Sequence, residues 1–249
     1  MKGRSGVVMV LAAVLATALP GLARAQVVVV GSDPSFPPFG TETSYQPAGY
    51  DVDLIKAIGK AAGFEVQVRK VLFDQLFSSL ANGGIDVAIS AISILDERRS
   101  LVDFSEPYFR STGVLLVRTP GGPRSFADLA GKKVSTLSGA SIYDRAVKDL
   151  ERKWKTISVS SYTVAIGMDD LLGGRIGGFV WDGTNTRYAL LKDPQYAGKV
   201  AVLGTVIERD DLGIAVKKGN TALLRKINAG LKKVRESGEQ ARIEALWMK

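Results

Sequence analysis

Asn82-Gly83-Gly84-Ile85-Asp86-Val87-Ala88-Ile89-Ser90-Ala91-Ile92-Ser93-Ile94-Leu95-Asp96-Glu97-Arg98-Arg99-Ser100-Leu101-Val102-Asp103-Phe104-Ser105-Glu106-Pro107-Tyr108-Phe109 reads as three pieces in series. An apolar strand over Ile85 to Ile89 runs into a small-polar turn at Ser90, Ala91 and Ser93, and a charged segment holding Arg98 follows. That order can build an anion pocket. A guanidinium offers a planar fork matched to a carboxylate, and Ser90 and Ser93 add hydroxyl donors at a strand end. The ordinary alternative is a strand, a loop and an arginine on a solvated helix face.

Upstream of this stretch, Gln26 to Gly31 forms a first strand, since Val27 to Val30 are all β-branched and the Pro-rich Ser32 to Gly40 ends it. A short strand that is apolar on both faces suits a parallel sheet. Asp51 to Ala62 has a helical stripe of Leu54, Ile55 and Ile58 closed by Gly63, Phe64 to Val71 alternates like a strand, and Phe73 to Ala81 is a second helix. The order is β-α-β-α-β, which implies parallel strands with crossover helices.

Downstream of Pro107 a second β-α unit begins. Strands are expected at Gly113 to Arg118, Lys133 to Leu137, Ile157 to Tyr162 and Gly178 to Trp181, with a short helix at Ser125 to Leu129 and longer ones at Ile142 to Trp154, Gly167 to Leu172 and Thr184 to Leu191. Val200 to Val206 and Gly213 to Val216 are two further strands separated by the charged Glu208-Arg209-Asp210-Asp211. Two amphipathic helices, Asn220 to Ser237 and Glu239 to Met248, close the chain, and their apolar stripes are core faces.

Composition removes whole classes of chemistry. The 249 residues contain no Cys and no His. There is no disulfide framework, no Cys or His metal site, no thiol nucleophile, and no imidazole to serve as a near-neutral base. Lys2 and Arg4, the apolar Val7 to Leu19 and the small-x-small Ala23-Arg24-Ala25 make residues 1–25 a cleavable signal peptide, with no Cys after it to carry a lipid. Its removal takes away Lys2, Arg4 and Arg24 and no acid, so the formal charge falls from +8 to +5. Lys132-Lys133, Lys217-Lys218 and Lys232-Lys233 are isolated pairs, which argues against a nucleic-acid stripe.

Ligands of open α/β sheets bind beyond the carboxyl ends of the strands. Those ends carry Asp33, Phe36 and Phe39, then Ser90, Ser93 and Arg98, then Ser141 and Asp182. Arg98 with the free N–H groups at the start of the helix near Ser141 suits a carboxylate, and Asp182 suits an ammonium. An α-amino acid presents both groups.

The motifs Ser32-Asp33-Pro34-Ser35-Phe36-Pro37-Pro38-Phe39, Gly49-Tyr50-Asp51-Val52-Asp53-Leu54, Ser93-Ile94-Leu95-Asp96-Glu97-Arg98, Val102-Asp103-Phe104-Ser105-Glu106-Pro107-Tyr108, Asp128-Leu129-Ala130-Gly131-Lys132-Lys133-Val134, Gly139-Ala140-Ser141 and Gly213-Ile214-Ala215-Val216 occur in one order. With them the chain resembles the periplasmic solute-binding proteins that serve polar amino acid ABC transporters, over essentially all of residues 27–248. The resemblance implies a periplasmic-binding-protein-like α/β fold of two three-layer lobes. Lobe 1 would comprise 26–110 and 208–249 and lobe 2 residues 111–207, joined by crossings near Tyr108 to Thr112 and Val206 to Asp210. It implies that Arg98, helped by Ser93 and the Ser141 N–H, holds an α-carboxylate, that Asp182 and the Ala91 carbonyl hold an α-ammonium, and that Ser90 is among the ligand-binding residues. Phe36 and Tyr50 would flank the ligand side chain, Asp33 would sit near its far end, and Leu137 would lie in the ligand-facing turn. Ala91 stands where the family usually has glycine, Ala140 where it has threonine, and Gly177 where it has an acid.

The implied function is non-catalytic capture of a free polar amino acid in the periplasm, with a basic side chain favoured by Asp33. The protein would act as a monomer that delivers its ligand to an ABC permease in the inner membrane, without metal, cofactor or nucleic acid. A ligand sensor docking on a membrane receptor is one alternative. A cyclohexadienyl or arogenate dehydratase on the same scaffold is another; the acid such enzymes carry three residues after Asp182 is Asn185 here.

Overall fold

In the computed structural model, which describes residues 26–44, 46–137, 141–161 and 163–249, the expected leader and the Ser138-Gly139-Ala140 turn fall outside the described residues. The first part of the chain gives β1 (Gln26–Ser32), the hairpin β2 (Thr41–Thr43) and β3 (Gln46–Ala48), α1 (Tyr50–Ala62), β4 (Phe64–Lys70), α2 (Leu76–Asn82), β5 (Val87–Ala88), α3 (Asp96–Arg99) and β6 (Val102–Phe104). Next come β7 (Phe109–Arg118), β8 (Lys133–Leu137), α4 (Ser141–Trp154), β9 (Ile157–Ser161), α5 (Val164–Leu172), β10 (Gly178–Asp182) and α6 (Gly183–Tyr188). The chain ends with β11 (Val200–Leu212), β12 (Ala215–Lys217), α7 (Thr221–Glu236) and α8 (Glu239–Trp247).

Two five-stranded sheets result, ordered β4-β1-β5-β12-β6 and β11-β7-β10-β8-β9. β1 runs parallel to β4 and β5, as its apolar Val27 to Val30 run suggests, while β12 returns antiparallel between β5 and β6. Each sheet is covered on both faces, because each borders two separate apolar clusters. On the first sheet, α1, α7 and α8 pack over one face through Leu54, Ile58, Ile227, Leu231 and Ile243, and α2 packs over the other through Leu76 and Leu80. The second sheet places Met168, Leu171 and Phe179 on one side and Val134, Val147 and Val180 on the other. Ile58 is fully buried, and its truncation to alanine is a change of about 2–5 kcal/mol.

Local signals explain the element ends. α1 stops at Gly63, which adopts φ 80° and returns its N–H to the Gly59 carbonyl. Gly230 lets α7 approach α1, since a Cβ there would sit 2.7 Å from the Ile58 carbonyl oxygen. Thr163 and Asn220 accept from Ile166 and Leu223 N–H groups as N-caps.

Two expectations are corrected. The strand expected over Ile85 to Ile89 is regular only at Val87 and Ala88, where the flanking Asp86 and Ile89 N–H groups still donate to the Val29 and Gly31 carbonyls of β1. The charged Glu208 to Asp211 is no loop: β11 continues through it to Leu212, paired with β7. β11 is an edge strand, so polar side chains on its open side cost little. Burial alternates accordingly, with Asp210 and Leu212 inside and Arg209 exposed.

β7 and β11 also connect the two halves. Their paired ends at Phe109 and Leu212 belong with the first core, whereas Val114, Leu116 and Val200 belong to the second. Both crossings therefore form one antiparallel ribbon, with register shifts between Val202 and Gly204, Thr205 and Ile207, and Ile207 and Asp210.

Candidate functional site

A cavity of about 190 Å³ opens where the two sheets face one another. It is smaller than the roughly 300–1,000 Å³ of drug-sized sites, so its occupant is a small molecule. Eight of the expected residues line it: Asp33, Phe36, Ser90, Ala91, Ser93, Arg98, Leu137 and Asp182. The walls touch across the cleft, because Phe36 meets Trp181 edge-on at 5.6 Å and the Asn185 amide donates to the Pro37 carbonyl at 2.6 Å.

Tyr50 is a correction. It is fully buried in the first core, stacked on Tyr108 and edge-on to Phe39, with its hydroxyl accepting from Gln240 Nε2 at 3.0 Å. As the first residue of α1 it points inward with the rest of that helix's apolar face, so it does not line the cavity. Ser141 is the first residue of α4, and the two residues that follow it, Ile142 and Tyr143, do line the cavity.

The turn after β5 is held by a buried acid. Ala91 adopts φ 46°, a left-handed conformation that disfavours a side chain, which accounts for the glycine expected there. Its N–H donates to Asp51 Oδ2 at 2.8 Å. Asp51 is completely buried, and that burial pushes its carboxyl up to about 7, against the Ala91 N–H and the neighbouring Tyr108.

Arg98 leaves α3 and passes between two rings, its guanidinium carbon 5.5 Å from the centre of Phe73 and 5.7 Å from that of Phe77. It donates to the Ser93 carbonyl at 3.2 Å. Burial lowers its pKa, and the charge of Asp210 opposes that. None of the acids around the cavity forms an ion pair with it. A desolvated guanidinium that lines the cavity without pairing to Asp33, Asp182 or Asp210 is suited to an incoming anion.

Asp182 ends β10 and serves as the N-cap of α6, accepting the Asn185 N–H at 2.6 Å on Oδ1. Oδ2 accepts the Ser111 hydroxyl at 2.6 Å. Burial raises its pKa, and these hydrogen bonds work against the rise. Asp33 accepts the Ser35 N–H on one oxygen and the Phe73 N–H on the other, each at 2.8 Å, while its own N–H donates to Ser90 Oγ at 3.1 Å. Ser93 is committed away from the cavity, since its hydroxyl donates to Asp210 Oδ2 at 3.0 Å.

Tyr143, Trp181, Phe73 and Asp210 were not among the expected site residues. Trp181 precedes Asp182 on β10 and donates its indole N–H to Asn185 Oδ1 at 2.8 Å, so its place next to a strand-end acid was the available signal. Asp210 had no local signal, because it reaches the site only through the pairing of β11 with β7. Among the described residues, the cavity lining carries two acids, Asp33 and Asp182, and one basic residue, Arg98, while Asp210 lies behind Ser93 and Tyr143.

Comparison with known proteins gives consistent results. The family model described as bacterial extracellular solute-binding proteins, family 3, matches residues 28–249. The ABC transporter arginine-binding protein 1 of Escherichia coli strain K12 is 31% identical, over 96% of this chain and 98% of that protein. A probable histidine-binding protein of Neisseria gonorrhoeae is also 31% identical, over 92% of this chain and 85% of its own length. Among solved structures, an ancestral arginine-binding protein bound to arginine matches with a TM-score of 0.77 at 32% identity, covering 90% of this chain and 98% of that one.

Proposed function

The chain belongs to the bacterial extracellular solute-binding proteins of family 3, and on that premise we propose that it captures a free L-α-amino acid with a cationic side chain and delivers it to an ABC importer. The observation that carries this reading is the charge layout of the cavity: a desolvated Arg98 is set against the acids Asp182 and Asp33, with neither of which it pairs. Burying a zwitterion costs several kcal/mol per charge unless each charge is paired. Arg98 and the N-terminus of α4 at Ser141 take the carboxylate. Asp182 and the Ala91 carbonyl take the ammonium.

The excess of acid selects a ligand with a second positive charge. Asp33 faces that charge, Phe36 and Trp181 supply aromatic walls, and Leu137 supplies an aliphatic one. The relatives named for arginine and histidine binding support the same class. In the position where a dehydratase needs an acid, the Asn185 amide is occupied by Trp181 and Pro37. Capture without chemistry is thus the better account.

Residues 26–110 with 208–249 act as one lobe and 111–207 as the other. Arg98 lies in the first and Asp182 in the second, so one ligand touches both and favours the closed arrangement to the extent that it binds that arrangement better. The signal peptide is cleaved after Ala25, the mature protein is a periplasmic monomer without a lipid anchor, and its partner is the permease of the importer. Among the described residues no helix is long and apolar enough to cross a membrane. Calorimetry with the twenty amino acids and ornithine, on protein unfolded and refolded to strip ligand, tests the proposal. Heat from arginine, lysine, ornithine or histidine is expected; silence from all four would sink it.

A further inference from the structure

The charged run on β11 divides between its two faces. Asp211 pairs outward with Arg110 at 3.0 Å and also with Arg209, while Asp210 turns inward and is 2% exposed. Asp210 lies on one crossing strand directly opposite Ser111 on the other. Its Oδ2 accepts from Ser93 at 3.0 Å and lies 3.3 Å from the Tyr143 hydroxyl. The same hydroxyl lies 3.4 Å from Asp182 Oδ2. A phenol has one proton to give, so it serves only one of these two carboxylates at a time. Both acids are buried, and their Oδ2 atoms cannot be farther apart than those two distances laid end to end.

Every element around Asp210 presents a group to it: Ser93 from the turn after β5, Arg98 from α3, Tyr143 from α4 and Asp182 from β10. Arg98 is the one cation among them, and it pairs with neither acid. Two buried carboxylates with one shared donor and no ion pair are short of positive charge.

We propose that Asp210 is the second acid of the ammonium site, acting through Tyr143, and that Asp182 and Asp210 share one proton that the arriving ammonium displaces to solvent. This rests on the amino-acid reading and adds a residue and a proton to it. Asp210 does not line the cavity, so it is a positioning residue: with its charge it holds Tyr143 and Ser93 in place and sets how strongly Asp182 wants a cation. Burial together with the charge of Asp182 pushes Asp210 up to about 6, in keeping with a proton shared near that pH. A bound ammonium favours the ionised pair, so binding tightens as pH rises through this value and levels off above it.

The test is calorimetry with L-arginine from pH 5 to pH 7.5, repeated at pH 6 in two buffers of different ionisation enthalpy, on wild type, Asp210→Asn and Tyr143→Phe. Wild type is expected to release a proton on binding and to lose about tenfold in affinity between pH 7.5 and pH 5, one pKa unit of coupling. Asp210→Asn keeps an acceptor for Ser93 and is expected to bind with no proton release and less than twofold pH dependence. Tyr143→Phe removes the shared donor but leaves both acids, so its pH midpoint moves up. Wild-type affinity that is flat with pH, or proton release that survives in Asp210→Asn, overturns the inference alone. Should arginine give no heat, the series is run with whichever of lysine, ornithine or histidine binds; silence from all four at every pH overturns the amino-acid reading and this inference with it.

Discussion

Replacing Arg98 with alanine separates binding from folding. On the folding side the variant loses two ring contacts, at 5.5 and 5.7 Å, and one hydrogen bond to the Ser93 carbonyl. Each ring contact is worth about 0.5–1 kcal/mol and a hydrogen bond from a charged donor roughly 1.5–3 kcal/mol. Against these stands the desolvation of a guanidinium that no cavity acid pairs with, a penalty that alanine removes. The terms oppose one another at similar size, so the ligand-free melting temperature should move by no more than about 4 °C. On the binding side nothing compensates. Truncating one partner of a buried charge pair costs about 2–5 kcal/mol, or roughly thirtyfold to several thousandfold in affinity. Arg98→Lys should fall between, since it keeps the charge and loses the planar fork. Titration calorimetry with arginine, paired with ligand-free thermal melts, reads both quantities. Binding by Arg98→Ala within threefold of wild type would refute the reasoning, because the carboxylate would then have another partner.

Other outcomes follow from the same geometry. Tyr50→Phe should leave affinity unchanged and cost about 0.5–1.5 kcal/mol in urea unfolding, the worth of the Gln240 hydrogen bond. Asp182→Asn retains a good N-cap for α6, so the fold should survive while affinity drops by roughly thirtyfold or more; affinity near wild type would remove Asp182 from the ammonium site. Asp51 makes stability depend on pH. Its carboxyl is raised from 3.8 to about 7, so between those values the folded chain holds a proton that the unfolded chain has lost. Stability therefore falls as pH rises through that window, by about 4 kcal/mol at most, and is level above it. Asp210 titrates in the same range, so the measurement is the difference between wild type and Asp51→Asn at pH 5 and pH 8; equal slopes would exclude Asp51 as the source.

Much of this arrangement is legible in the amino-acid sequence. The stripe Leu54, Ile55 and Ile58 reports burial directly, as do Val28 and Val30, whereas Val27 at the start of the same run is 44% exposed. Arg98 and Asp182 are legible because strand ends are where ligands meet α/β sheets. What stays hidden is what depends on pairing between distant segments. Glu208 to Asp211 looks like a loop because four charges in a row rarely form a strand, yet an edge position and a partner in β7 make them one. Asp210 is invisible for the same reason, since its neighbours Ser93 and Tyr143 lie 117 and 67 residues away in sequence. Tyr50 misleads in the opposite direction: an aromatic beside a motif suggests a ligand contact, and only packing against Phe39 and Tyr108 shows that it belongs to the core.

The β7–β11 ribbon has a mechanical meaning beyond joining two halves. A body that swings about an axis moves far at its rim and hardly at all on the axis. Ser111 and Asp210 face each other across the ribbon, and Ser111 carries Asp182 by a 2.6 Å hydrogen bond. In the proposed two-lobe reading Arg98 would ride on one lobe, whereas Asp182, on the other, is tied to Ser111 of the pivot. The amine end of a ligand would then lie near the point that moves least, and closure would bring its carboxylate end to Arg98.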